Sequence, residues 1–367
     1  MDTNDLPIMA TAEDAILAKR ATVQTGYYED PFLEPFAKKA LGNTRRRQFQ
    51  PIIKRGTHAR VCCMDRAISQ FLRKNNSDNQ DCQIVVLGAG KDTSYFRYRS
   101  GYIMGMEQQQ NSNGDTANNR EVHWYEVDHK SVIQEKYKII TDTPELASLC
   151  TTVQQSKAGS GGGGFSSSGK NGKYHLIQHD LRDDPLLLVQ KLNLKVRLPT
   201  LFLLECVFMY LPNQASKALL TTLSTSVEKA WIVGYEPILG SDPFGRIMQQ
   251  NLVRARVATP FSCLLQTRTL QAHLEKLVEG GFSRRAVACD MWSAYETILT
   301  NDQRRRANKS ELLDEVEEWI LIMRHYCFFA ARGGNQRDND DDDTNEWTRV
   351  GPESPLGFLP EKCLEFK

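Results

Sequence analysis

The chain has 367 residues, enough to bury a large core, and its 46 Lys and Arg nearly cancel its 45 Asp and Glu. That balance excludes a global field recruiting nucleic acid or an anionic membrane, and no partner of either kind is expected. The longest strongly apolar run, around residues 198–211, is too short to cross a bilayer, and the opening MDTNDLPIMA lacks the basic and apolar regions of a secretory signal.

Nine cysteines, an odd number without a C-x-x-C pair, predict reduced thiols and a cytoplasmic, or also nuclear, location. The seven histidines show no zinc spacing, and no metal is expected.

In chain order, residues 11–25 predict a helix with Thr11 as N-cap and Glu13 and Asp14 in its first turn. HARVCCMDRAISQFLRK (58–74) predicts a second amphipathic helix with Val61, Met64, Ile68, Phe71 and Leu72 on one side. Strand-like apolar runs then fall at 84–87, 122–127, 174–178, 200–205 and 230–235, with helical patterns after most of them. Continuous apolar runs mean strands buried on both faces, hence a mostly parallel sheet covered by helices. Residues 266–282 read as a helix stopped by Gly280 and Gly281, followed by a late strand and loop. A helix with Ser310 as N-cap and a closing strand near 323–331 predict an antiparallel sheet edge.

Residues 105–121 and 155–172 are low-complexity stretches between strand patterns and read as flexible surface insertions. The acidic run RDNDDDDTNE (337–346) reads as part of a disordered tail over 336–367. The expected organisation is a single domain over 1–335, with residues 1–80 as a helical lid.

Chemistry concentrates where the strands end. IVVLGAGKDT carries Gly88 and Gly90, the first two glycines of a dinucleotide turn, where a side chain would block the approach of a ligand to the backbone. Thr93 replaces the third glycine, which argues against a pyrophosphate. Asp128 closes the next strand. Once 105–121 is set aside it follows Gly90 by about 20 residues, the spacing of a ribose acid; its structural alternative is a helix N-cap. Asp180 with Leu181 stands past the third strand, suited to an adenine amino group and base face, or simply to a turn. Glu205 ends the most hydrophobic strand, where a carboxylate is costly without a partner, and a cationic ligand would supply one. Three acids and no phosphate-binding charge suit S-adenosylmethionine better than a nicotinamide dinucleotide.

LGAGKDTSYFR, YEVDHKSVIQEKYKII, DLRD and LLECVFMYLPNQAS together resemble the leucine carboxyl methyltransferase family, as do EDAILAKRATVQTGYYEDPF and KRGTHARV. The resemblance implies a Rossmann-like class I S-adenosylmethionine-dependent methyltransferase sheet, of class α/β, with added N-terminal helices and an inserted helical substrate region. It implies methylation of the C-terminal leucine carboxylate of the type 2A protein phosphatase catalytic subunit by a monomer. Lys19 and Arg60 match the family's donor-binding basic residues, Gly88 the loop contact and Asp128 the ribose acid. Asp180 and Leu181 match the adenine contacts, Glu205 the acid near the donor's amino-acid part, and Tyr210 a substrate-pocket residue that positions with Arg60. Without the resemblance, Lys19 and Arg60 read as surface helix residues. Lys91 stands where relatives often carry an uncharged residue, which is expected to alter donor affinity. The alternatives are an oxidoreductase, a wybutosine-tRNA-type methyltransferase without its propeller, and a non-catalytic phosphatase-binding protein.

Overall fold

A computed structural model describes residues 6–41, 48–103, 120–150, 153–156, 164–169, 172–258, 261–335 and 364–365. The chain opens with three helices, α1 (Leu6–Gln24), α2 (Leu33–Leu41) and α3 (Pro51–Ser77). Strand β1 (Cys82–Leu87) leads through α4 (Ser94–Arg99) to β2 (Val122–Asp128), then α5 (Lys130–Asp142) and α6 (Pro144–Leu149). A hairpin of β3 (Val153–Ser156) and β4 (Gly164–Gly169) precedes β5 (Gly172–Gln178). Then come α7 (Pro185–Leu192), β6 (Thr200–Glu205), α8 (Asn213–Thr225) and β7 (Ala230–Pro237). The last part holds α9 (Pro243–Arg254), α10 (Leu270–Glu279), β8 (Arg285–Asp290) and α11 (Met291–Ile298). It closes with α12 (Asn301–Ser310), α13 (Val316–Met323), β9 (Tyr326–Gly333) and β10 (Leu364–Glu365).

The strands form one sheet in the order β10-β8-β9-β7-β6-β1-β2-β5-β4-β3. The block β7-β6-β1-β2-β5 is parallel. β9 runs antiparallel between β7 and β8, so the closing strand lies inside the sheet and not at its edge. The chain proceeds outward from β1 through β2 to β5, then returns to the other side of β1 with β6. Strand order therefore reverses between β1 and β6, and the crevice at such a switch point is where open α/β sheets bind ligands.

Alternation along the strands builds a core on each face. Ile84 and Val86 of β1 join the cluster of Phe36, Phe71, Phe96 and Trp124 under α1 to α3. Val85 and Leu87 join Phe202, Phe208, Phe282 and Phe329 under α8 and α10. Residues alternate between the two faces because successive side chains of a strand point to opposite sides.

Several boundaries differ from the sequence reading. α1 begins five residues before Thr11, whose hydroxyl instead donates to Ile8 O at 2.6 Å. His129, not Asp128, caps α5 through its imidazole, which accepts from Ser131 N. Ser310 ends α12 instead of opening a helix; the cap there is Thr300, in a reciprocal box with Gln303. The segment after β8, read as a loop, is α11, capped by Asp290. Of the glycines ending α10, only Gly281 is left-handed, at φ +89°.

The stretch 155–172, expected to be a flexible insertion, contributes β4, which pairs with β5 along Gly164–Gly169 and with β3. Backbone hydrogen bonding to a free strand edge needs no apolar side chain, so a Gly- and Ser-rich segment can take it. The other insertion falls almost wholly outside the described residues. So does the tail, except Leu364–Glu365, which pairs antiparallel with β8.

Candidate active site

At the switch point lies a cavity of about 330 Å³, within the range of ~300–1,000 Å³ usual for small-ligand sites. All nine residues singled out from the sequence line it: Lys19, Arg60, Gly88, Gly90, Asp128, Asp180, Leu181, Glu205 and Tyr210. The sheet supplies the floor. α1 and α3 supply one wall, through Ile8, Ala12, Ala15 and Ile16 from the first and Met64 and Ile68 from the second.

The glycine turn has a physical reason for both glycines. Gly88 and Gly90 have φ of +62° and +50°, the left-handed region that costs other residues ~1–2 kcal/mol. A Cβ on Gly88 would also lie 2.8 Å from Val207 Cγ2. Asp128 holds the turn shut by accepting from Gly90 N at 2.7 Å and His129 N at 2.6 Å. Burial raises its carboxyl above the ordinary value, and those two N–H bonds oppose the rise.

Glu205 finds its counter-charge within the chain, contrary to the expectation that a ligand would supply it. Arg60 Nε lies 3.0 Å from Oε2, and Lys19 Nζ lies 3.7 Å from Oε1. Lys19 and Arg60 are accordingly not surface residues. Lys19 is buried, and its ammonium donates to Asp92 Oδ2 at 3.1 Å. Arg60 stacks over the Tyr235 ring at 5.3 Å. Burial works against its charge, but Glu205 foremost, with Tyr235 and Cys206, holds its pKa above normal.

Asp92 was missed from the sequence. Burial alone would raise its carboxyl, yet Lys19, Lys136 and Arg97 outweigh that and hold it well below the carboxylate range. It anchors Lys19 and accepts from Ser94 N at 2.9 Å, so it fixes both the lysine and the start of α4. The sequence did hold a signal for Arg60: it stands one helical turn before Met64 and two before Ile68, a charge on the apolar stripe.

On the opposite side, Asp180 accepts from Arg182 Nε at 2.9 and 3.1 Å and from Arg182 N at 2.9 Å. Burial pushes its carboxyl up, but the Arg182 bonds and charge win and lower it. Leu181 is buried beside it. Lys91 is also buried and pairs with Glu135 at 3.1 Å, so its charge is matched within the protein. Tyr210 lines the cavity together with Thr11 of α1, and burial raises its hydroxyl pKa above normal.

The cavity thus combines two buried cations with acids at the ends of adjacent parallel strands. Asp81, Glu121 and His123 bring three ligand-type atoms within 4.8 Å of one another elsewhere, at the N-terminal ends of β1 and β2. There Lys195 Nζ lies 2.9 Å from His123 Nε2, where a metal ion would have to sit.

A sheet reversing between β1 and β6, with an antiparallel strand inside its far end and a glycine turn facing acids, is the Rossmann-like methyltransferase architecture. The leucine carboxyl methyltransferase family profile matches residues 7–224, and the chain belongs to that family. It is 30% identical to the leucine carboxyl methyltransferase 1 homolog of Arabidopsis thaliana, over 89% of each chain. It is also 30% identical to leucine carboxyl methyltransferase 1 of Bos taurus, over 89% of this chain and 90% of the relative. The Emericella nidulans protein of that name is 32% identical, over 88% and 84%. Among solved structures, the plantazolicin methyltransferase BamL with SAH superposes at a TM-score of 0.40 and 7% identity, covering 89% of this chain and 99% of that one. So low a score carries no weight for the site.

Proposed function

We propose that the protein transfers a methyl group from S-adenosylmethionine to the α-carboxylate of a C-terminal leucine on a type 2A protein phosphatase catalytic subunit, in the cytoplasm. The observation that carries this reading is the convergence of Lys19, Arg60 and Glu205 beside the Gly88–Gly90 turn and Asp128 in one cavity.

The residues fit the donor's parts. Asp128 ends β2 where a ribose acid belongs, and Asp180 and Leu181 suit an adenine amino group and face. Arg60 and Lys19 suit a carboxylate, and Glu205 suits an ammonium. When bound, the donor supplies an electrophilic methyl on a sulfonium.

The chain has little acid–base work to do. A C-terminal carboxylate, with a reference pKa of ≈ 3.3–3.7, is ionised at neutral pH and needs no general base. The buried imidazoles His58 and His273 and the half-buried His175 are pushed down to about 4 by loss of solvent and stay neutral. What remains is positioning and exclusion of water, and orientation alone is worth about 7–11 kcal/mol in favourable cases. Arg60, Lys19 and Glu205 hold the donor's charged end, while Ile8, Ala12, Tyr210 and Leu211 line the cavity on the α1 side.

The test is transfer of labelled methyl from S-adenosylmethionine to purified phosphatase catalytic subunit, with and without its terminal leucine. Base-labile label on the intact subunit alone is expected. Donor binding without transfer would overturn the substrate, and failure to bind donor would overturn the reading entirely.

A further inference from the structure

The exit from β6 is built unusually. Cys206 has φ +54°, a left-handed conformation uncommon for a residue with a side chain, and its N–H donates to Tyr235 O at 2.7 Å. The chain then makes a short 3-10 turn, Phe208–Tyr210, that brings Tyr210 to the cavity that α1 also lines. The first N–H groups of such a turn have no partner within it. Here they are also out of water, because Val207, Phe208 and Met209 are buried.

One side chain answers all of them. Glu236, the penultimate residue of β7 and itself 1% exposed, accepts from Val207 N at 2.6 Å and Phe208 N at 2.8 Å through Oε1, and from Met209 N at 3.2 Å through Oε2. Lys276, the cation acting on it from α10, has its ammonium donating to Asn213 Oδ1 and Ser216 Oγ. Glu236 is thus held mainly by backbone dipoles, as anions are in a nest of successive N–H groups.

We propose that Glu236 is a positioning residue for the acceptor side of the site: its carboxylate gathers the Val207, Phe208 and Met209 amides and so fixes the turn that delivers Tyr210 to the cavity. The acceptor side as such rests on the proposed methyl transfer. Glu205 and Gly88 lie before this turn, in or next to strands held by their own sheet bonds, so the donor side depends on it less.

Glu236→Gln tests this, because an amide nitrogen keeps the shape and cannot accept the third bond. The expected result is faster hydrogen exchange at Val207, Phe208 and Met209 and a loss of about tenfold or more in kcat/KM for the acceptor. Calorimetric affinity for S-adenosylmethionine should change by less than about threefold, a split that general destabilisation would not give. Should that variant fail to fold, Glu236→Asp, which keeps the charge and shortens the reach, is judged by the same readings. Unchanged exchange and turnover would overturn the proposal, as would donor affinity falling as far as acceptor kcat/KM. If the wild-type protein transfers no methyl, the proposed function has failed, while the exchange measurement still decides whether Glu236 holds the turn.

Discussion

Arg60 Nε lies 3.0 Å from Glu205 Oε2, joining the middle of an N-terminal helix to the end of a central strand. Both side chains are mostly buried, so each leaves the other short of a counter-charge when removed. Arg60→Ala is expected to weaken donor binding by about 10- to 100-fold, the ~1.5–3 kcal/mol of a charge-assisted contact, with the fold retained. Titration calorimetry with a circular dichroism control decides it, and near-normal affinity would make the pair purely structural.

Asp128→Ala removes a carboxylate that both closes the glycine turn and faces the cavity. Donor affinity should fall at least as far as in the Arg60 variant. A fall matched by a collapse of the fold at 25 °C would assign Asp128 to the turn alone.

Gly88→Ala meets two obstacles, a left-handed backbone and a Cβ 2.8 Å from Val207 Cγ2. A stability loss of about 1–3 kcal/mol in urea unfolding is expected, with weaker donor binding. Wild-type midpoint and affinity would show that the turn has room to spare.

Glu126 is fully buried against Lys136 and accepts from Tyr174 Oη at 2.9 Å. Burial, against the pull of Lys136, raises its carboxyl to about 7. Between its unfolded value near 4.5 and 7 the folded state binds more protons, so its contribution is complete below that lower value and is lost as pH rises to 7. Replacing it by Gln should flatten the fall of melting temperature across that window. A parallel pair of curves would show that Glu126 keeps an ordinary pKa.

Removing 153–171 deletes β3 and β4 and leaves β5 as an edge. Methyl transfer should stay close to wild type, since no cavity residue is lost, while light scattering on warming increases as the bare edge pairs between molecules. A folded but inactive product would give the hairpin a part in the reaction.

Much of the site was legible along the chain because α/β sheets put their ligand contacts at strand ends. Gly88, Asp128, Asp180 and Glu205 each follow a continuous apolar run, and the order of runs places them in one row. The charged residues on the helices were not legible by that rule. Lys19 sits on a face that looks like any amphipathic helix until it is docked; Arg60 interrupts an apolar stripe, but what it meets shows only on docking, and the family motifs singled out both. Asp92 and Glu236 were missed for a related reason: a carboxylate next to a turn or a proline reads as solvated unless its neighbours are known.

The sequence by itself determined the parallel core, the glycine turn and the acids beyond it, because period, apolar run length and glycine are local properties of the chain. Only the tertiary structure decided that Glu205 is answered by Arg60 and Lys19, that Lys91 is answered by Glu135, and that Glu236 holds the turn before Tyr210. Those outcomes depend on which buried groups meet across elements distant in sequence. Burial makes an unpaired charge or N–H costly, so the partner that folding brings within reach sets what each group does.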